Sequence, residues 1–110
     1  MLRREYRSLV GFLTEDNLRQ VHADRLFLGT SGVRPGGQVM DTTVVEVPVK
    51  RAMLAASDHV VLVADVGKFP GTGMSRVCGP QELDTVVTNA TADDRTKTAL
   101  REAGVTVLEV

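Results

Sequence analysis

Residues 59–64 form an apolar run that is followed at once by Asp65, Gly67 and Lys68. Its Val-Val-Leu-Val core favours a β-strand buried on both faces, as in a parallel sheet. In open parallel sheets, ligands bind beyond the carboxyl ends of the strands. The run therefore predicts a central parallel strand that brings a carboxylate and an ammonium group to a ligand-binding edge.

Short β-rich runs alternate with helical patterns along the rest of the chain. Strands are predicted at residues 8–11, 25–29, 84–88 and 105–109, with a further short strand at 75–78. Helices are predicted to begin at Thr14 and Thr91 as N-caps, and from about Val44 or Pro48 to residue 57, and the last helix to stop at Gly104. This alternation implies βαβ units, so the expected fold class is α/β: a mostly parallel open sheet with helices on its faces.

Length and composition indicate one small domain, or a piece of one, over residues 1–110. With a net charge of -1, the chain has no overall positive potential that would attract nucleic acid. The single cysteine, Cys78, excludes an internal disulfide and suits a reducing cytosol. No signal peptide is recognisable, and no apolar run approaches the ~18 to 20 residues that span a membrane. The expectation is a cytoplasmic domain without membrane contact.

The polar residues do not form a recognisable catalytic or metal-binding motif. Residues 29–32 and 71–73 resemble phosphate loops in composition, but neither matches the established glycine patterns. His22 and His59 are isolated in the sequence, and Cys78 has no partner at metal-ligand spacing. No metal site, cofactor or catalytic residue is predicted, and the expectation from the residues is an anion or sugar site at the sheet edge.

Five ordered segments carry a resemblance to a known family. They are residues 22–29 (HADRLFLG), 49–53 (VKRAM), 62–69 (LVADVGKF), 84–88 (DTVVT) and 100–105 (LREAGV). Together they resemble the effector-sensing domain of the DeoR family of bacterial transcriptional regulators, nearly end to end. The resemblance implies a Rossmann-like fold similar to ribose-5-phosphate isomerase, and a phosphorylated sugar or sugar derivative as effector. In the family, a winged helix-turn-helix binds the operator, and effector binding usually releases the DNA.

The resemblance also implies where the effector binds. The segment 29–33 would form a loop over the sugar, in which Ser31 stands where the family commonly has an acidic residue. A carboxylate there would accept sugar hydroxyls, and an ammonium group would attract phosphate. The ligand-binding residues that it implies are Gly29, Thr30, Ser31, Gly32, Glu46, Lys50, Asp65 and Lys68.

The chain also departs from the family pattern. It contains no helix-turn-helix and begins where a family sensor domain is already under way, so its sheet is expected to be incomplete at the N-terminus. An incomplete sheet exposes an edge or an apolar face, which favours a homo-oligomer. DNA contact is expected only through the helix-turn-helix that this chain lacks.

Three functional hypotheses follow. The favoured one is the effector-binding portion of a DeoR-type repressor, which senses a phosphorylated sugar, oligomerises and is not an enzyme. The second is a small isomerase-like enzyme acting on a sugar phosphate, with Glu46 or Asp65 as its base. The third is a truncated remnant that acts only in assembly.

Overall fold

The elements alternate along the chain, in a computed structural model that describes residues 1–4 and 8–110. The antiparallel pair β1 (Leu2–Arg3) and β2 (Ser8–Leu9) precedes helix α1 (Phe12–Arg19). The elements that follow are β3 (Ala23–Leu28), β4 (Gly32–Val33), β5 (Val39–Asp41), α2 (Val47–Ala55), β6 (Ser57–Val63), β7 (Ser75–Cys78), β8 (Thr85–Thr88), α3 (Asp94–Glu102) and β9 (Thr106–Glu109). Single 3-10 turns occupy Val44–Glu46, Val66–Lys68 and Pro80–Glu82.

A parallel sheet of four strands forms the main layer, in the order β3-β6-β8-β9. Its register places Phe27 beside Val61, and Val61 beside Thr85. Strands β4, β5 and β7 form a separate antiparallel sheet. The predicted α/β class with a parallel sheet is confirmed. The antiparallel sheet was not predicted, because strands of two and three residues show no periodicity.

The two faces of the parallel sheet are covered unequally. On one face, Leu62 and Val86 are fully buried in the core beneath α2 and α3. On the other face, the exposed fractions of Phe27, Val63 and Leu108 are 69%, 50% and 50%. The strands follow one another without a reversal of order, so right-handed crossovers place their connections on one face. The expectation that strand 59–64 is buried on both faces is therefore wrong at Val63.

Two helices begin at residues other than the predicted N-caps. Thr14 lies inside the first turn of α1, where Gly11 takes the N-cap position with a φ of 102°. Asp93 rather than Thr91 caps α3, because its carboxylate accepts a hydrogen bond from the backbone N–H of Thr96 at 3.0 Å. More than one residue near the start of each helix is of a type that can cap a helix, and the position of the cap depends on the contacts made in the folded chain.

The predictions for Pro48 and Gly104 are confirmed, whereas α2 ends at Ala55 rather than at residue 57, because Ser57 already pairs with Ala23 as the first residue of β6. Pro48 lies in the first turn of α2. Backbone N–H groups in the first turn have no acceptor within the helix, so a proline there costs no intrahelical hydrogen bond. Gly104 follows α3 with a φ of 92°, the left-handed conformation expected after a helix. None of the helices in the described parts of the chain has the length and apolarity needed to cross a membrane.

Candidate functional site

Small or polar residues follow the carboxyl ends of three neighbouring parallel strands. Gly29 and Asn89 directly follow β3 and β8, and Asp65 lies two residues beyond the end of β6. The side-chain oxygen of Asn89 accepts a hydrogen bond from the backbone N–H of Val66 at 2.9 Å, which joins two of these strand ends. Parallel pairing thus brings residues from distant parts of the sequence to one edge of the sheet.

Lys50 of α2 reaches this edge and is held there by an ion pair. Its Nζ lies 2.6 Å from Oδ2 of Asp41, at the end of β5, and donates to the carbonyl oxygen of Gly29 at 3.3 Å. The side chain of Asp41 is only 7% exposed, and that of Lys50 is 20% exposed. The pair therefore fixes the ammonium group beside the end of β3.

Ser31 connects the loop after β3 to the same carboxylate. Its Oγ donates to Oδ1 of Asp41 at 3.3 Å and accepts from the backbone N–H of Thr42 at 3.1 Å. The backbone N–H of Thr43 donates to Oδ1 of Asp41 at 2.9 Å. These contacts place a buried carboxylate next to Ser31, the position where the family commonly has an acidic residue.

The environment of Asp41 keeps its carboxyl group ionised. Burial acts to raise its pKa, but the hydrogen bond from Lys50, the N–H of Thr43 and the charge of Lys50 together outweigh burial. The pKa of Asp41 is therefore below the ordinary value of 3.8. At neutral pH the site holds a carboxylate and an ammonium group in contact.

Thr30 and Gly32 have structural contacts within the loop. The hydroxyl group of Thr30 donates a hydrogen bond to the carbonyl oxygen of Met40 at 2.7 Å. It also accepts a hydrogen bond from the backbone N–H of Gly32 at 3.1 Å. A Cβ at Gly32 would lie 2.4 Å from the backbone nitrogen of Thr72. The glycine is thus required for the close approach of two backbones, and the Thr30 hydroxyl is occupied by main-chain groups.

Glu46 lies at the end of the 3-10 turn before α2 and forms an ion pair with Arg3 of β1. The distance between Nη1 of Arg3 and Oε2 of Glu46 is 2.7 Å, and both side chains are largely buried. Together with the pair of Lys50 and Asp41, this gives two oppositely charged pairs around the start of α2.

Asp65 directly precedes the 3-10 turn that follows β6, and Lys68 is the last residue of that turn. Oδ1 of Asp65 accepts from the backbone N–H of Gly67 at 3.0 Å, so the carboxylate caps this turn. Asp65 is exposed and Lys68 is half-buried. The turn contacts β4. The carboxylate of Asp65 therefore has a local role as the cap of this turn.

A cavity of about 560 Å³ opens beside the end of β3. Its volume lies within the range typical of small-molecule sites. Ser8, which lines it, has a buried hydroxyl without a hydrogen-bond partner among residues 1–4 and 8–110. The lining residues are Ser8, Leu9, Thr14, Leu18, Phe27, Leu28, Gly29, Glu46, Val49, Lys50 and Met53.

The cavity brings together only part of the predicted site. Gly29, Glu46 and Lys50 line it, whereas the other five implied residues do not. Asp41 is the contact that sequence reasoning missed, although it follows a short apolar run and precedes two threonines, the same kind of signal that singled out Asp65. Its strand has three residues, too few for that pattern to stand out.

Cys78 is not a candidate nucleophile. It is fully buried in β7, and burial, with a smaller contribution from the charge of Glu82, raises its pKa to about 12. A thiol with this pKa stays protonated at neutral pH, and only the thiolate is reactive. The contact of Glu82 with Arg51, at 3.1 Å, is likewise structural, because Arg51 also donates to the carbonyl oxygen of Val77.

Comparison with known proteins agrees with this architecture. A model of the DeoR C terminal sensor domain matches residues 1–90. The HTH-type transcriptional regulator GlpR of Haloferax volcanii is 31% identical over 108 residues, which cover 98% of this chain and 42% of that protein. A putative aga operon transcriptional repressor of Escherichia coli O157:H7 is 28% identical over 109 residues, covering 99% of this chain and 40% of that protein.

A third relative aligns with a shorter stretch of this chain. The glycerol-3-phosphate regulon repressor of Escherichia coli K12 is 34% identical over 83 residues, which cover 76% of this chain and 33% of that protein. The chain thus spans less than half the length of each of these relatives. Because the family model covers most of the chain and regulators of the family align along nearly all of it, the chain belongs to the DeoR family, within its C-terminal sensor domain.

Proposed function

We propose that this chain is the effector-binding part of a DeoR-type transcriptional repressor, and that its effector is a phosphorylated sugar or sugar derivative. The observation that carries the proposal is the cavity beside the end of β3, with Lys50 fixed at its wall by Asp41. The relative from Escherichia coli K12 is, by its name, a repressor of the glycerol-3-phosphate regulon, which agrees with a small phosphorylated ligand.

The charges around the cavity suit a ligand with both hydroxyl and phosphate groups. Lys50 supplies an ammonium group that can donate to phosphate oxygens, and the carboxylate of Glu46 can accept hydrogen bonds from hydroxyls. Each is already part of an ion pair, with Asp41 and Arg3 respectively. The charges of these two ion pairs sum to zero, so inorganic phosphate alone is expected to bind only weakly. Hydrogen bonds to the hydroxyl groups of the ligand then determine which phosphorylated compound binds. The apolar lining then contacts the carbon skeleton.

A thermal-shift screen tests the proposal. The purified chain is mixed with a panel of sugar phosphates and glycerol 3-phosphate, with the free sugars, glycerol and inorganic phosphate in parallel. A ligand at 100 times its dissociation constant stabilises the fold by about 2.7 kcal/mol. For a domain of this size, the melting temperature should rise by on the order of 10 °C.

Substitutions decide where the ligand binds. Lys50→Ala is expected to abolish the shift, whereas Arg95→Ala, which removes an exposed cation from α3, should retain it. Lys68→Ala distinguishes the cavity from the turn after β6, because Lys68 does not line the cavity. A panel in which no phosphorylated compound moves the melting temperature would refute the proposed function.

The proposal includes a homo-oligomer, a cytoplasmic location and a non-enzymatic role. The exposed apolar face of the parallel sheet supports self-association. The matched relatives are named as regulators, and both carboxylates near Lys50, Asp41 and Glu46, are engaged in ion pairs rather than held as bases. With a net charge of -1, the chain is proposed to leave DNA contact to a helix-turn-helix outside it.

A further inference from the structure

Three side chains with metal-binding atoms converge at the amino edge of the parallel sheet, opposite the cavity edge. They are His22, which directly precedes β3, Asp24 of β3 and Asp58 of β6. Their ligand atoms all lie within 4.8 Å of one another. All three residues are exposed, so the group is open to ions from solution.

The sheet register explains why these residues meet. Ala23 pairs with Ser57 and Arg25 pairs with His59, so Asp24 and Asp58 lie side by side on the same face. His22 is two residues before Asp24, and side chains two residues apart point to the same face of a strand. The cluster therefore rests on paired backbone rather than on a mobile loop.

The distance between the ligand atoms of His22 and Asp58 is close to that around a coordinated ion. Nε2 of His22 lies 2.9 Å from Oδ2 of Asp58. Two ligand atoms at about 2.0 to 2.1 Å from a tetrahedral zinc ion stand about 3.3 Å apart. Insertion of the ion therefore requires that the hydrogen-bonded pair open by a few tenths of an ångström, and that the Asp24 carboxylate turn towards them.

The ligand set points to a class of metal. One imidazole nitrogen and two carboxylate oxygens suit borderline ions such as Zn²⁺, whereas Mg²⁺ and Ca²⁺ prefer oxygen ligands alone. The two carboxylates would neutralise a divalent charge. A cation in the surface depression beside His22 is relevant because it could repel a metal ion. Arg19 lines this depression together with His22, and its guanidinium group lies 3.9 Å from the carboxylate of Asp16, which carries the opposite charge.

We propose that His22, Asp24 and Asp58 form a binding site for a divalent transition-metal ion, with Zn²⁺ as the probe, and with water completing the coordination. The sequence alone predicts no such site, because 36 residues separate His22 from Asp58. The bound ion would clamp β3 to β6 at the edge opposite the cavity. The site is independent of the effector-binding role proposed above.

Calorimetric titration of the metal-free chain with zinc chloride tests the site. One ion per chain is expected to bind, and His22→Ala, Asp24→Asn and Asp58→Asn should each weaken binding by at least about tenfold. His59→Ala is the matched control, because the chain has only two histidines and Nε2 of His59 contacts Oγ1 of Thr85 instead. Binding to this control should equal that of the wild type.

Imidazole resonances in a heteronuclear NMR spectrum give an independent readout that does not rely on variants. Zinc should shift the ring signals of His22 and leave those of His59 in place. The proposal is overturned if zinc does not bind, if His59→Ala weakens binding as much as His22→Ala, or if both aspartate variants bind zinc as the wild type does. Magnesium chloride that displaces zinc at equal concentration would likewise refute a transition-metal site.

Discussion

At Gly32 the absence of a side chain permits a backbone crossing that holds the candidate site together. A Cβ at this residue would lie 2.4 Å from the nitrogen of Thr72 and 2.6 Å from the carbonyl carbon of Gly71. Both neighbours are backbone atoms, which cannot move aside as a flexible side chain can. The loop after β3 and the segment before β7 can therefore pack this closely only because residue 32 has a hydrogen atom in place of a side chain.

Gly32→Ala is expected to destabilise the fold by about 1 to 3 kcal/mol, the usual cost of overpacking. Chemical denaturation followed by circular dichroism measures this loss. Gly36→Ala is the matched control, because a Cβ there would meet no atom within 4 Å. Equal stability of the two variants would show that the backbone crossing is not tight in solution.

Asp41 gives the chain a dependence on acid pH that can be assigned to one residue. Its folded-state pKa is below 3.8, because the contacts from Lys50 and Thr43 outweigh burial. The stability that it contributes is thus fully present above its unfolded pKa, which is close to the ordinary value of 3.8, and is lost as the pH falls through the lower folded value.

Asp41→Asn should therefore melt at a lower temperature than the wild type at neutral pH, and the difference should narrow as the pH falls below about 4. Thermal unfolding at a series of pH values measures the difference. Glu102→Gln, at an exposed carboxylate of α3, should melt with the wild type throughout. A difference for Asp41→Asn that stays constant into strong acid would contradict the assignment.

Among the elements, α3 shows how a helix start is chosen from several candidates. Residues 91–94 contain a threonine and two aspartates, all of types that can cap a helix. Asp93 takes the position because its carboxylate accepts from both the N–H and the hydroxyl of Thr96, at 3.0 and 2.7 Å. One turn beyond this cap, Lys97 links the helix to β9 through Glu109 at 3.1 Å.

Asp93→Ala should lower the melting temperature by a few degrees, because it removes the acceptor for the first turn of α3. Thr91→Ala, at an exposed residue that precedes the cap, should leave the melting temperature unchanged. Differential scanning calorimetry of both variants separates them. The assignment of the cap is wrong if Thr91→Ala proves the more damaging change.

The positions of the strands were largely predictable, because each is a local run of Val, Leu or Thr bounded by glycine or polar residues. Residues 75–78, 84–88 and 105–109 were predicted within one residue of the observed strands. Strands β4 and β5 were not, because they are held by pairing with β7 rather than by a pattern of their own.

In the molecule as a whole, one face of the parallel sheet is open, which departs from the expected burial of strand 59–64 on both faces but agrees with the expectation of an exposed edge or apolar face. The register aligns Val63 with Val87, and Val87 with Leu108, on the same face as Phe27. These apolar side chains lie on neighbouring strands of the sheet. A second copy offers the complementary surface, since two such faces can pack about 10 Å apart as in a sandwich.

Self-association through this face predicts a concentration-dependent dimer. Size-exclusion chromatography with light scattering should show a larger mass for the wild type than for Val63→Asp, which places a charge at the centre of the face. Val66→Asp, at an exposed valine in the turn after β6, controls for added charge. A wild-type chain that is monomeric at all concentrations would exclude this interface.

The α/β class, the parallel strands and the edge at which polar residues gather could be predicted from the residues, because these follow from local periodicity and from the direction of the strands. The contact of Asp41 with Lys50, the contact of His22 with Asp58 and the choice of the sheet face that stays open depend on the three-dimensional fold. Such contacts join segments far apart in the chain. Their distances depend on register and on the hand of the crossovers, which no local pattern of residues records.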